Sequence, residues 1–371
     1  MKVLYLGHYK EGTGWSVSSI NNILALNSLD DIDLVTRNIR LTKELPVPEE
    51  VLKLEQKDLQ NIDVCIQHVL PHHLVATTKF KKNIAYFENE TDTITYASNW
   101  FQSLKMMDEV WIPCEDSKQS LQKDGIQNVK VVPHAFDMQD YNHKNEVYFN
   151  SIPLDSFKFY YIGDLNDRKN IDNMLRCFHV AFNPSEPVEL VLKVGSSNGP
   201  QYAEQYINNR SEKVKKQLRL YDNIRSYKQE FIIPATLSRK EILDIHSMCD
   251  CYLGVSHGEA WNIPAFEAMA FGNTPICSNQ GGPKQFIDAL SSGTGSLING
   301  VQKIANHQDA AFPFLATGRE MWFEPDDAEI ISKMRFYFDT RKERSAEIGL
   351  KQAEKFSYEN IGKIMLECLN E

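Results

Sequence analysis

The sequence predicts an α/β protein of two domains, each built around a parallel sheet. Three observations lead there. The 371 residues exceed what a single core of ordinary size uses. Short apolar runs alternate with segments whose apolar residues recur at helical spacing, the pattern of strand–helix–strand units. That alternation lapses once, across a polar stretch at about residues 138–156, which reads as a linker. The expected domains are therefore 1–145 and 150–350, with 351–371 as a C-terminal helix.

In the first half, Val3–Gly7 is a continuous apolar run and reads as a fully buried strand. A glycine-containing loop follows, and Val17, Ile20 and Leu24 then fall on one helical face. Asp33–Thr36, Val64–Gln67, Asn83–Phe87, Glu109–Pro113 and Val129–Pro133 are further short strands. The second half opens with Phe157–Ile162, a polar loop, and a helix presenting Ile171, Met174, Leu175, Phe178 and Phe182. Leu190–Val194, Ile232–Pro234, Cys251–Val255 and Thr274–Cys277 read as later strands, and the last thirty residues as helix.

Composition narrows the function. A net charge of −10 opposes a nucleic-acid partner, because phosphate backbones attract basic patches. The opening MKVLYLGHYKEG is too short in apolar residues for a signal-peptide core, and no run reaches a membrane span. Seven cysteines without a framework are expected to be reduced thiols in a cytoplasmic protein, with at most peripheral membrane contact. Asp31-Ile32-Asp33 is nominally a metal-binding DxD but precedes a strand in a polar turn. His68, His72 and His73 have no usual zinc spacing, so no metal and no cofactor are expected.

The most informative segment is CDCYLGVSHGEAWNIPAFEAMAFGNTPIC, residues 249–277. A buried strand ends near Ser256, a loop carries Glu259, and Pro264 opens a short helix that stops at Gly272. Its free amides suit a phosphate. Glu259 and Glu267 would then face the same cleft, where two carboxylates are best explained by hydroxyls of a polyol.

These residues resemble the E-x7-E motif of retaining glycosyltransferases of family four, the glycogen-synthase-like group with the GT-B fold. The flanking S-x-G-E and P-x-x-E-A-M-A-x-G sharpen the match, and the C-terminal WFEPDD and KFSYENI extend it over nearly the whole chain. The resemblance implies two Rossmann-like domains facing across a cleft, with the last helix crossing back to the first. It implies a hexose moved from a nucleotide-sugar donor to a glycan or lipid-linked acceptor, without metal, as in cell-surface polysaccharide synthesis. Glu259 would contact the donor sugar and Glu267 the ribose. Where the family has Gly-Phe-Gly, this chain has Ala260, Trp261 and Asn262, and the last two are counted with the substrate site.

Three further segments gain meaning from the resemblance. In YYIGDLNDRKNID, Arg168 and Lys169 precede Asn170, an expected N-cap, and would hold the diphosphate; Asp164 stands where the family carries an Arg. Gly12 and Gly14 match the family's N-terminal glycine loop, though a tight turn explains them as well. His68 lies where relatives carry a cleft histidine, against ordinary packing. Glu90, with Thr91 and Asp92, matches an E-T-D stretch at the acceptor side, against a loop cap. Rival readings are a nucleotide-sugar epimerase and an inactive nucleotide-sugar-binding subunit. The donor sugar, base and acceptor are not legible.

Overall fold

The computed structural model describes residues 1–94, 99–142, 152–288, 290, 293–305, 317–340 and 346–371. The chain forms two compact units. The first comprises Met1–Met138, a segment ending at Met321, and Glu354–Glu371; the second comprises Gln139–Pro313 and Trp322–Ala353.

The first unit carries β1 (Lys2–Gly7), α1 (Gly14–Asn27), β2 (Asp33–Asn38), α2 (Glu49–Glu55), β3 (Val64–His68), β4 (Lys82–Tyr86), α3 (Trp100–Lys105), β5 (Glu109–Ile112), α4 (Glu115–Lys123) and β6 (Val129–Val131). The strands pair in parallel in the order β2-β1-β3-β4-β5-β6. All five residues of β3 are buried, and its polar members are paired: Gln67 exchanges hydrogen bonds with the Val75 backbone and His68 meets Glu88. Thr13 caps α1 by accepting from the Ser16 amide.

The second unit carries β7 (Phe157–Asp164), α5 (Ile171–Ala181), β8 (Val188–Gly195), α6 (Pro200–Leu218), β9 (Phe231–Ile233), α7 (Arg239–Met248), β10 (Cys251–Gly254), α8 (Ile263–Ala270), β11 (Ile276–Ser278), α9 (Pro283–Phe286) and β12 (Ser296–Ile298). Its parallel sheet runs β12-β11-β10-β7-β8-β9. A two-stranded ribbon of β13 (Gly300–Ile304) and β14 (Met321–Pro325) follows, then α10 (Asp327–Thr340) and α11 (Ala346–Ala353). The ribbon and β12 carry no signal in the apolar pattern: β13 is mostly exposed and β12 is three residues long.

The final helix α12 (Tyr358–Asn370) is separated from α11 by a 3-10 turn at Glu354–Phe356, so the C-terminal stretch is not one helix. It packs on α1 of the first unit. Gly362 permits this approach, since a Cβ there would stand 2.9 Å from the Ala25 carbonyl, and Tyr358 Oη donates to Asn21 Oδ1 at 2.8 Å. The expected linker begins with a 3-10 turn at Met138–Asn142; residues 143–151 lie outside the described residues. All seven cysteines are free and buried. Among the described residues no helix is long and apolar enough to cross a membrane.

Candidate active site

In the second sheet the strand order reverses between β7 and β10, and open parallel sheets bind ligands beyond the carboxyl ends of strands at such a point. Two loops meet there. The loop after β7 folds into a 3-10 turn, Asp167–Lys169, whose Lys169 amide donates to the side chain of Asn166. Asn170 follows in the left-handed region at φ 56°, a conformation asparagine tolerates. Contrary to the expected side-chain cap, it makes no such bond to α5; Nδ2 donates instead to the Val255 carbonyl at 3.1 Å, across to the loop after β10. The His257 amide returns the contact, donating to the Arg168 carbonyl at 2.7 Å.

This stitching brings the two sequence motifs onto one carboxylate. Lys169 Nζ donates to Glu259 Oε1 at 2.7 Å, Ser256 Oγ donates to the same oxygen at 2.7 Å, and Arg168 Nη1 lies 3.1 Å from Oε2. Arg168 also donates to the Gly258 carbonyl at 2.6 Å. Burial pushes the Glu259 carboxyl up, but the two cations and their hydrogen bonds outweigh it and hold the group at about 2. Two cations on one carboxylate leave the trio with a net charge of +1, which suits an anionic ligand at this sheet edge. Arg210 of α6 steadies the turn from outside, pairing with Asp167 at 3.2 Å and Asp172 at 3.0 Å.

Glu267 does not join this cluster. It lies in the second turn of α8, 1% exposed, and each carboxylate oxygen already has a partner. Arg239 Nη1 donates to Oε1 at 2.5 Å and His246 Nε2 lies 3.2 Å from Oε2. Arg239 is fixed in turn by Asp140 Oδ2, at 2.7 and 3.0 Å. On the far side of His246, Tyr160 Oη lies 2.7 Å from Nδ1 and accepts from Asn273. Burial holds the His246 pKa down. Burial raises the Glu267 pKa, while Arg239 and then His246 bring it below the ordinary value. Arg239, His246 and Asp140 went unnoticed in the sequence. The only signal is Ser238 and Glu241, whose capping box sets Arg239 at the first position of α7.

The substituted loop Ala260–Asn262 is packed into the second unit. Trp261 is 2% exposed, its indole on the rings of Phe266 and Phe286. Asn262 keeps the backbone that a glycine would supply, with φ 72°, and its Oδ1 accepts from the Ala265 amide as the N-cap of α8. Gly281 and Gly282, also missed, let the next loop close on this one. A Cβ on either would overlap the Glu259 carbonyl or the Trp261 backbone.

In the first unit, Gly12 is exposed with φ 70° and Gly14 is the first residue of α1. Glu11 between them and β1 is buried. Burial raises its pKa, yet the amides of Leu41, Thr42 and Lys43 hold the carboxylate at about 2. His68, at the end of β3, is fully buried with Nε2 2.6 Å from Glu88 Oε1. The acid beside His68 is Glu88, which the sequence did not single out; Glu90 lies half-buried in the loop that follows. His72 instead accepts from Trp100 Nε1 at 2.9 Å and His73 packs against His8. Among the described residues no three His, Cys, Asp or Glu side chains are placed to hold a metal ion.

Residues 144–309 match the family model described as glycosyl transferases group 1. At the level of sequence, no curated protein matches this chain. Among solved structures, the fold is similar to Anabaena HepE in complex with UDP-glucose: TM-score 0.64, 15% identity, covering 100% of this chain and 99% of that one. It is also similar to sucrose-phosphate synthase from Thermosynechococcus elongatus, with TM-score 0.64, 13% identity, and 100% and 98% of the two chains covered. OtsA, solved without ligand, gives TM-score 0.63 at 11% identity over 100% and 99%. The fold is thus GT-B-like over the full length, and residues 144–309, under half of the chain, resemble the group 1 glycosyltransferases and contain the Lys169–Glu259 junction.

Proposed function

We propose that the protein is a retaining, metal-independent glycosyltransferase that moves a hexose from a nucleotide sugar to a glycan or lipid-linked acceptor. The observation that carries this reading is the buried Glu259 carboxylate under Lys169 and Arg168, at the switch point of the second sheet. Lys169 and Arg168 would meet the donor diphosphate, and the charge that grows on it as the glycosidic bond breaks favours a preorganised cation pair. Glu259, kept ionised, would accept hydrogen bonds from the sugar. In the retaining route the departing phosphate takes the proton of the incoming hydroxyl, so no side-chain base is required. HepE, bound to UDP-glucose in its crystal, supports a uridine donor as the first to try. The reaction would take place in the cytoplasm, with at most peripheral contact to a membrane.

The test is a thermal-shift panel of UDP, GDP and ADP sugars, followed by transfer and hydrolysis assays with and without EDTA. Stabilisation by one nucleotide series and EDTA-resistant transfer are expected. Isomerised donor without acceptor would favour an epimerase instead, and binding without any turnover an inactive subunit. Complete, Mn²⁺-rescued loss in EDTA would overturn the metal-free mechanism.

A further inference from the structure

The loop that carries Glu259 is held residue by residue. The Ser256 carbonyl accepts from Ser278 Oγ at 2.6 Å, the Gly258 carbonyl from Arg168, and the Glu259 carbonyl from the Gly282 amide at 3.0 Å. His257 is fixed by the ribbon instead. Its carbonyl accepts from the Phe323 amide at 2.8 Å, and its ring Nδ1 lies 3.0 Å from the Phe323 carbonyl. His257 is 5% exposed, and its ring stacks on the Trp322 indole with centroids 5.3 Å apart and planes 15° from parallel.

We propose that His257 is a positioning residue: its neutral ring, with the proton on Nδ1, braces the Glu259–Arg168 junction against the β13–β14 ribbon. The role rests on the transferase reading of that junction. The contacts fix the ring's proton. A backbone carbonyl only accepts, so Nδ1 must donate to Phe323. Lys303 Nζ lies 3.1 Å from Nε2, and an ammonium only donates, so Nε2 must accept. A proton on Nε2 would set one cation against another. Burial, then the Lys303 charge, hold the ring's pKa down at about 4, with Arg168 adding to them and the Phe323 carbonyl and Glu324 opposing.

The brace reaches the chemistry through the main chain. The His257 amide donates to the Arg168 carbonyl, the Gly258 carbonyl takes Arg168 Nη1, and the Glu259 carboxylate takes Lys169 and Arg168. Lys303 is held in turn by Glu324, the residue after Phe323, whose Oε1 accepts from Asn173 of α5 at 3.4 Å. Both ring nitrogens are engaged and the ring is buried, so His257 acts through Arg168 and Glu259 and not on a substrate. Asparagine in its place keeps a donor near the Nδ1 position; alanine and phenylalanine supply none.

The full chain labelled with ¹⁵N-histidine reports the ring directly, His257 being the signal that His257→Asn removes. At about pH 7 it should show the Nδ1–H tautomer, which free histidine disfavours, and Lys303→Met should shift its Nε2 resonance. An Nε2–H tautomer, or a ring indifferent to Lys303→Met, would overturn the brace. Turnover of UDP-, GDP- and ADP-glucose then reads the role in the reaction. His257→Ala should lower kcat by about tenfold or more, and His257→Asn should stay within about threefold of wild type. His257→Phe keeps a ring against Trp322 but no nitrogen, and should lose as much as alanine, so either variant that folds by circular dichroism decides. Combined with Glu259→Gln, the loss should be smaller than the two singles together, because both act at one junction. Unchanged kcat without the ring nitrogens, asparagine as poor as alanine, or full additivity would overturn the positioning role. A wild type inactive on all three nucleotide sugars would sink the transferase reading, while the tautomer and its response to Lys303→Met still decide the brace.

Discussion

Lys169 Nζ and Glu259 Oε1 lie 2.7 Å apart although 90 residues separate them in the chain. The pair joins the group assigned to the diphosphate with the group assigned to the sugar. Contacts that strengthen toward the transition state appear in kcat. Lys169→Ala should therefore lower kcat on the order of 10²-fold or more, as for loss of one preorganised donor. Glu259→Gln should also depress kcat yet leave binding of the nucleotide diphosphate nearly intact. Because the residues touch, the double variant should lose less than the two singles combined. Full additivity in steady-state kinetics would show that they act independently. Arg168→Ala at near-wild-type rate would reduce Arg168 to a structural contact with Gly258.

Glu267 is buried and pairs with Arg239, whose side chain is 37% exposed. Glu267→Ala leaves Arg239 with Asp140 and removes the partner of His246. Since Arg239 keeps Asp140 and solvent, the stability loss should be about 1–3 kcal/mol, chiefly from the buried His246 ring nitrogen left without a partner. The same change should weaken nucleoside diphosphate binding by roughly 1.5–3 kcal/mol if the carboxylate also reaches the ribose. Denaturant titration and calorimetry read the two effects separately. A stability loss with unchanged affinity would confine Glu267 to the Arg239 network.

Acid should remove the contribution of Glu259. Its pKa is about 2 in the folded protein against an ordinary 4.5, so the folded state holds fewer protons there than the unfolded chain. The resulting stability, on the order of 3 kcal/mol, is present above about pH 4.5 and is lost as pH falls toward 2. Between wild type and Glu259→Gln, chemical denaturation at about pH 6 and about pH 3 should show a stability difference that shrinks by roughly 2 kcal/mol at the lower value. A gap that does not change with pH would contradict the depressed pKa.

Asn262 tests whether backbone or side chain matters in the substituted loop. Its φ of 72° is free to glycine and costs alanine roughly 1–2 kcal/mol, to which alanine adds about 1 kcal/mol for the lost cap. Asn262→Gly should melt close to wild type and Asn262→Ala clearly lower. Equal melting temperatures would mean that the strain is relieved elsewhere.

Much of the fold is legible before any coordinates. Strands buried on both faces, such as Cys251–Gly254, are apolar throughout, and helices with one buried face, such as Ile171–Ala181, repeat at 3.6 residues. Lys169 and Glu259 could be named because the motifs around them resemble those of a known family and each follows a strand and precedes a helix. Strand ends are where a parallel sheet leaves space for ligands. What the linear pattern cannot carry is pairing across the sheet. Only the order β10-β7 brings Lys169 to Glu259, and only the start of α7 brings Arg239 to Glu267. Side-chain direction is hidden as well. A glycine-like backbone at Asn262 and an indole turned into the core at Trp261 follow from packing against Gly281, Gly282, Phe266 and Phe286. The same holds for the acid beside His68, which is Glu88 because that side chain, two residues past the end of β4, meets the end of β3. Sequence determines which residues are able to do chemistry; the tertiary structure decides which of them meet, since burial and charge act through distances that chain order does not contain.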